Sequence, residues 1–272
     1  MGAFSPTSHR LAKKILALEH NDLLRHSHAH TRRFFSRPGH SSRRAIISSS
    51  GSNSDSGAKM TNNKIQEPVI TSVTDLPTDE AKWIALKKIS YVDQTGKART
   101  WEAASRKTRA KSSGGVDAVA VGNVLLHPSR PPATLLVVQY RPPLDAYTVE
   151  WPAGLVDEGE TVEQAAVREF REETGYECEV VSIGPAQAAD PGLSSATMRM
   201  AMVEVRLGED DALPEQRLED GEHIQRIIVP LGELYDRLVE FSQKERTIVA
   251  AKLFHFAAGM HFAKGKAKEY GL

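Results

Sequence analysis

Cysteine is almost absent: Cys178 is the only one in 272 residues. That excludes an intrachain disulfide and a cysteine-based zinc site, and it leaves Cys178 to be read as a small buried hydrophobe. No run of 18 apolar residues occurs, so no membrane-spanning helix is expected. No internal repeat is visible. Acidic residues are scarce at one end. Residues 1–59 hold ten Lys/Arg against Glu19, Asp22 and Asp55, and the remainder holds 25 bases against 32 acids. The net charge of zero therefore conceals a basic segment and an acidic body.

The basic segment is rich in Arg, Ser and His. Leu11, Ile15, Leu16 and Leu18 beside Lys13 and Lys14 suggest a weak amphipathic helix, and Arg32-Arg33 and Arg43-Arg44 follow. This is the composition of a mitochondrial transit peptide; a basic tail touching nucleic acid is the alternative reading. A Gly/Ser linker follows at Ser48–Ser56. Met60, just beyond it, would start a cytosolic form without the address. Pro6 argues against myristoylation of Gly2. The acidity of the body argues against a nucleic-acid partner.

From Lys82 onward, short strand-like runs alternate with turns. Strands are expected at Trp83–Val92, Ala98–Ser105, Val116–Leu126, Thr134–Tyr140, Tyr147–Trp151, Glu179–Ile183, Thr197–Val205 and Ile224–Val229. Helices are expected at Val162–Thr174, Leu231–Glu240 and Glu245–Phe262. This alternation predicts an α/β fold, a layered sandwich. Three regions follow: 1–60 as a disordered targeting extension and linker, 61–110 as an N-terminal β segment, and 111–272 as the main domain.

Residues 154–176 read GLVDEGETVEQAAVREFREETGY. Glu169, Glu172 and Glu173 are spaced i, i+3, i+4, so they share one helix face. Three clustered carboxylates repel unless a cation neutralises them. Hard oxygen donors suit Mg²⁺, with Mn²⁺ as the alternative, rather than zinc. A solvated helix face would show the same Glu spacing, but Gly154, Glu160, Arg168 and Gly175 also stand at fixed intervals around it.

That stretch resembles the Nudix box, G-x5-E-x7-R-E-U-x-E-E-x-G-U with U bulky and apolar; Phe170 and Tyr176 place aromatics at the U positions. The resemblance implies an α/β/α sandwich with a mixed sheet, preceded by an N-terminal β segment and a disordered extension. It implies Glu169 and Glu173 as principal metal ligands, assisted by Glu172 and the Ala153 carbonyl. Arg168 would pair with Glu160 and orient the box.

The flanks QYRPPLDAYTVEWPAGLVDE (139–158) and ADPGLSS (189–195), with Pro191 about fifteen residues beyond the box, resemble the ADP-ribose/ADP-sugar pyrophosphatase branch. That branch hydrolyses ADP-ribose to AMP and ribose 5-phosphate. The resemblance implies Arg141 on the substrate phosphate or terminal ribose, and Glu150 holding metal or ligand. It implies Trp83 and Trp101 stacking the adenine from two subunits of a homodimer, with Glu102 and Arg106 in the same segment. Asp190, Gly192 and Leu193 would shape the loop over the terminal ribose, and Glu222 would act as general base, a box glutamate being the alternative. Other nucleoside diphosphate sugars, oxidised nucleotides, or a sensor that binds ADP-ribose without cleaving it are the rival readings. His223, His255 and His261 are read as structural.

Overall fold

The computed structural model describes residues 66–111, 114–209 and 212–271. The expected address segment, its linker and Met60 lie outside the described residues.

The first described elements are β1 (Ile84–Val92) and β2 (Ala98–Arg106), an antiparallel hairpin pairing Ile84 with Arg106 and Val92 with Ala98. Asp93 builds its turn. The carboxylate accepts from the backbone N–H of Thr95 (2.9 Å) and of Lys97 (3.0 Å), and Gly96 supplies the positive φ of 81°. Side chains that would be buried elsewhere are open here: Trp83, Leu86, Val92 and Trp101 are all at least half exposed.

The main sheet follows: β3 (Ala118–Leu126), β4 (Ala133–Arg141), β5 (Ala146–Glu150), β6 (Ala153–Leu155), β7 (Glu179–Ile183), β8 (Gln187–Ala188), β9 (Thr197–Arg206), β10 (Gln225–Pro230) and β11 (Thr247–Val249). Its spine runs β11-β5-β4-β3-β9-β7, with β10 on β4, β6 on β3 and β8 on β9. The sheet is mixed: β3 pairs parallel with β9 and β11 parallel with β5, while the other pairings are antiparallel. Helix α1 (Val162–Thr174) covers one face; α2 (Leu234–Ser242) and α3 (Ala251–Tyr270) cover the other. This is the expected α/β/α sandwich.

Alternation along the central strands explains the two layers. In β4, Leu135 and Val137 join the core under α1, while Leu136 joins the core under α2 and α3. Both faces being covered, these strands read as continuous apolar runs. The lone buried polar residue of β3, Asn123, takes the Leu135 N–H on its side-chain oxygen and donates to the Leu135 carbonyl, at 2.7 and 2.9 Å. No described helix is long and apolar enough to cross a membrane.

Three expectations need correction. The helix expected from Glu245 begins only at Ala251 and runs on to Tyr270. Thr247–Val249 is instead β11, whose β-branched residues suit the pleated edge beside β5. Residues 231–233 form a 3₁₀ turn ahead of α2, following Pro230. Cys178 precedes β7 and is only half-buried against the core, its thiol pushed up to about 11 by burial and the Glu177 charge.

Candidate active site

Local sequence dictates the α1 scaffold. Thr161 caps its start: the hydroxyl accepts the Gln164 N–H (3.2 Å) and the Gln164 side chain accepts the Thr161 N–H (2.8 Å), a reciprocal capping box. Ala165, Ala166 and Phe170 bury one stripe. Gly175 ends the helix with φ 79°, donating to Arg171 O. A side chain at 175 would also strike the Glu215 carbonyl, 2.4 Å from an added Cβ. Alongside that stripe, Glu169 and Glu173 face β6, Glu169 over Gly154 and Glu173 on the Ala153 N–H, while Glu172 turns to Arg168.

Arg168 organises the loop before the helix. Its Nε and Nη2 each donate to Glu160 at 2.9 Å, and Nη2 also reaches the Leu155 carbonyl at 3.0 Å. Nη1 contacts Glu169 at 2.8 Å and Glu172 at 3.2 Å. The Arg168 fork holds the Glu160 carboxyl below the usual carboxylate range against the opposing effect of burial. With every N–H of the fork directed at the loop or the box, Arg168 is a structural clasp.

Glu173 is 4% exposed, and its carboxylate accepts the Ala153 N–H at 3.3 Å. Burial, then the charges of Glu169, Glu222 and Glu150, pushes its pKa up to about 8. Glu169 is shifted upward as well, chiefly by burial, in spite of Arg168. Glu169 lies directly over Gly154: an added Cβ there would stand 1.9 Å from its carboxyl carbon.

These observations test whether a divalent cation suits the residues. The buried Glu173 carboxylate has no cationic partner of its own and feels the charges of Glu169, Glu222 and Glu150, and burying unpaired charge is costly. All the side-chain donors are hard oxygens, and Gly154 leaves the space that Glu169 occupies. The residues fit a divalent metal. Among the described residues no three acidic, histidine or cysteine side chains are gathered to hold an ion; Glu169 and Glu172 are turned onto Arg168.

Arg141, ending β4, and Glu150, ending β5, form a forked pair at 2.8 and 3.2 Å, and the Thr148 hydroxyl joins Glu150 at 2.5 Å. Burial raises the Glu150 carboxyl, but the Arg141 and Thr148 hydrogen bonds outweigh it and the net shift is downward. Glu222, in the loop before β10, lies near enough for its charge to act on Arg141, Glu169 and Glu173. Its oxygen accepts the Glu219 N–H at 3.0 Å.

The hairpin residues sit apart from this cluster. The Trp101 indole N–H donates to Gly192 O (3.1 Å), Ala104 N–H donates to Leu193 O (2.8 Å), and Ser195 N–H donates to Ala104 O (3.1 Å). The hairpin is thus stitched to the turn containing Asp190, Gly192 and Leu193, all of them exposed. Glu102 and Arg106 are exposed along β2. Trp83 lies beside Lys107, to which its carbonyl is bonded at 2.9 Å. Six strand positions, roughly 20 Å of backbone, separate that point from Trp101.

Several neighbouring residues carry no local signal in the sequence. Asp117 is 3% exposed and takes a forked bond from Arg109 (2.8 and 2.6 Å) together with the Thr197 N–H (2.8 Å); it locks the segment after the hairpin to β9. Lys252, in the first turn of α3, lies within electrostatic reach of Glu150 and Arg141. Gln216 donates to the Glu173 carbonyl (2.6 Å), and Arg226 donates to the Thr174 and Pro214 carbonyls (2.5 and 2.6 Å). His223, His255 and His261 are exposed, and His261 stacks on Tyr235 with centroids 4.3 Å apart.

Residues 116–251 match the NUDIX domain family. The mouse ADP-sugar pyrophosphatase is 39% identical over 193 residues, covering 70% of this chain and 87% of its own. The Saccharomyces cerevisiae ADP-ribose pyrophosphatase is 38% identical over 189 residues, covering 69% and 80%. An uncharacterized Nudix hydrolase of Schizosaccharomyces pombe is 37% identical over 197 residues, covering 72% of this chain and 94% of its own.

Proposed function

This chain belongs to the Nudix hydrolase family, and on that footing we propose that it hydrolyses the diphosphate of ADP-ribose, or a close ADP-sugar, to AMP and the sugar phosphate, with Mg²⁺ as its metal. The observation that carries the reading is the Glu169–Glu173 pair, held over Gly154 and against β6, with Arg141 and Glu222 within electrostatic range. The names of the mouse and budding-yeast relatives support the substrate class.

When bound at Glu169 and Glu173, with Glu172 and the Ala153 carbonyl beside them, the metal supplies charge neutralisation for the diphosphate and acidifies a water. The remaining work belongs to the chain. Arg141 offers a fork suited to phosphate oxygens, pre-aimed by Glu150. Glu222 takes the proton from the attacking water. Arg168 keeps the box loop in register. The turn at Asp190, Gly192 and Leu193 borders the terminal ribose, and Glu102 and Arg106 line the approach beside it.

Trp83 and Trp101 supply flat apolar faces for the adenine, a stack worth about 1–3 kcal/mol per base. Their separation in one chain and the exposed apolar hairpin support a homodimer in which each base site takes one indole from each subunit. The first sixty residues carry, on composition alone, our proposal of a mitochondrial address.

The test is direct. The full chain is incubated with Mg²⁺ and ADP-ribose, and products are identified by mass. AMP with ribose 5-phosphate is expected. A preference for a diphosphate without adenine, or binding without turnover, overturns the assignment.

A further inference from the structure

The hairpin that carries Arg141 has a second face. Residues paired across two strands share a face, and successive residues alternate. Arg141 pairs with Ala146 and Tyr140 with Tyr147, so the two tyrosines lie on the side away from the Arg141 side chain. Their rings meet edge to face with centroids 5.8 Å apart.

Arg246, immediately before β11, closes this second face. Its Nη2 donates to the Asp145 carboxylate at 2.7 Å and to the Pro68 carbonyl at 3.2 Å, and its Nε reaches the Asp145 carbonyl at 3.3 Å. The guanidinium stands 5.7 Å from the Tyr140 ring centroid, and the Tyr140 hydroxyl donates to the same Asp145 oxygen at 2.7 Å. The Arg246 carbonyl accepts the Tyr147 N–H at 2.8 Å. Beside it, the Tyr147 hydroxyl donates to Glu67 at 3.0 Å. One residue thus joins the β4–β5 turn, the start of β5 and the incoming chain at Pro68.

Among the described residues only two that are not glycine have positive φ: Asp145 at 45° and Arg246 at 49°. Such backbone persists only where its surroundings hold it, and it collects at sites that must keep a fixed geometry. Aspartate tolerates this region, but arginine does not favour it. The two strained residues are bonded to each other. Their side chains are 60% and 37% exposed, and an exposed ion pair adds little stability. What they hold is the end of the hairpin, from which the Arg141 side chain reaches back to Glu150. A side chain so extended carries any tilt of the turn to its guanidinium.

We infer that Arg246 is a positioning residue: bonded to Asp145 and Pro68 on the far face of the hairpin, it fixes the aim of the Arg141 guanidinium. The inference rests on the reading of Arg141 as a phosphate contact.

The full chain is assayed with Mg²⁺ and ADP-ribose. Arg246→Ala should raise KM about three- to tenfold, a coupling of the size found between residues that share contacts, with kcat within about twofold and the melting temperature nearly unchanged. Arg141→Ala combined with Arg246→Ala should show a KM no higher than Arg141→Ala alone, because the second change acts through the first residue. Tyr147→Phe, which frees Glu67 and leaves Asp145 held, should keep the parent KM. A loss confined to kcat, additive effects in the double variant, or the same rise in Tyr147→Phe overturns the positioning role.

A readout without turnover separates this role from the substrate reading. With isotope-labelled arginine, the Arg141 Nε–H signal is identified by its loss in Arg141→Lys, and it should shift in Arg246→Ala. An unmoved signal refutes the link whatever the enzyme cleaves. A shifted signal with no hydrolysis of ADP-ribose sinks the substrate reading and leaves the link standing.

Discussion

The Glu169 carboxylate occupies the volume that a side chain on residue 154 would fill, with only 1.9 Å between its carboxyl carbon and an added Cβ. Gly154 is therefore a matter of space beside the proposed metal ligands rather than of backbone freedom. Gly154→Ala should push Glu169 aside. Misplacing a catalytic group by about 1 Å can cost a hundredfold, so kcat/KM should fall by about that factor while the melting temperature moves little. Equal loss of activity and of stability would show that the glycine serves the fold instead.

Glu173→Gln should lose about a hundredfold or more in kcat and still fold. Near-normal turnover would remove Glu173 from the metal site.

The same residue predicts a pH signature. Its folded pKa, pushed up to about 8, lies above its ordinary value of 4.5. Folding thus favours the protonated acid. That contribution is complete below the ordinary value and is lost as pH rises through about 8. In chelator, the melting temperature should fall from pH 5 to pH 8, and Glu173→Gln should flatten the decline. Added Mg²⁺ should raise the melting temperature more at pH 8 than at pH 5, because it binds the ionised form. A metal effect independent of pH would contradict this.

Arg141→Ala should raise KM and lower kcat/KM by about 10- to 100-fold, the worth of a charge-assisted contact of roughly 1.5–3 kcal/mol. Arg141→Lys should recover little, since an ammonium cannot reproduce the fork toward Glu150 and a phosphate. Full recovery by lysine would leave only a point charge at this position.

Trp83→Ala and Trp101→Ala should each raise KM for ADP-ribose. In the proposed dimer, co-expression of the two variants would give mixed pairs in which one base site is intact and the other lacks both indoles. Activity should therefore reappear in the mixture. Kinetics no better than those of either variant alone would end the shared-site proposal.

The layered fold was legible because its strands are long apolar runs and α1 carries its own caps, Thr161 and Gly175. The carboxylate helix was legible because helical spacing alone aligns Glu169, Glu172 and Glu173. Thr247–Val249 was not, since three residues next to a helical pattern become a strand only by meeting β5, which lies about a hundred positions earlier. Asp117 and Arg109 are eight residues apart with nothing local to join them; the Thr197 N–H and Ser195 carbonyl that complete their contact come from β9 and the turn before it. Lys252 was hidden in the same way. Its relation to Glu150 exists only once α3 packs back against the sheet.

Arg226 and Gln216 grip carbonyls rather than side chains, and the Arg217 N–H likewise meets the Glu172 carbonyl at 2.8 Å. A tether made to main-chain atoms is indifferent to the letters of the segment it holds. Gln216 is the exception, since its own side chain makes the bond to the Glu173 carbonyl; at Pro214 and Arg217 only the main chain is held. Side chains at such positions can change while the carboxylate helix keeps its place.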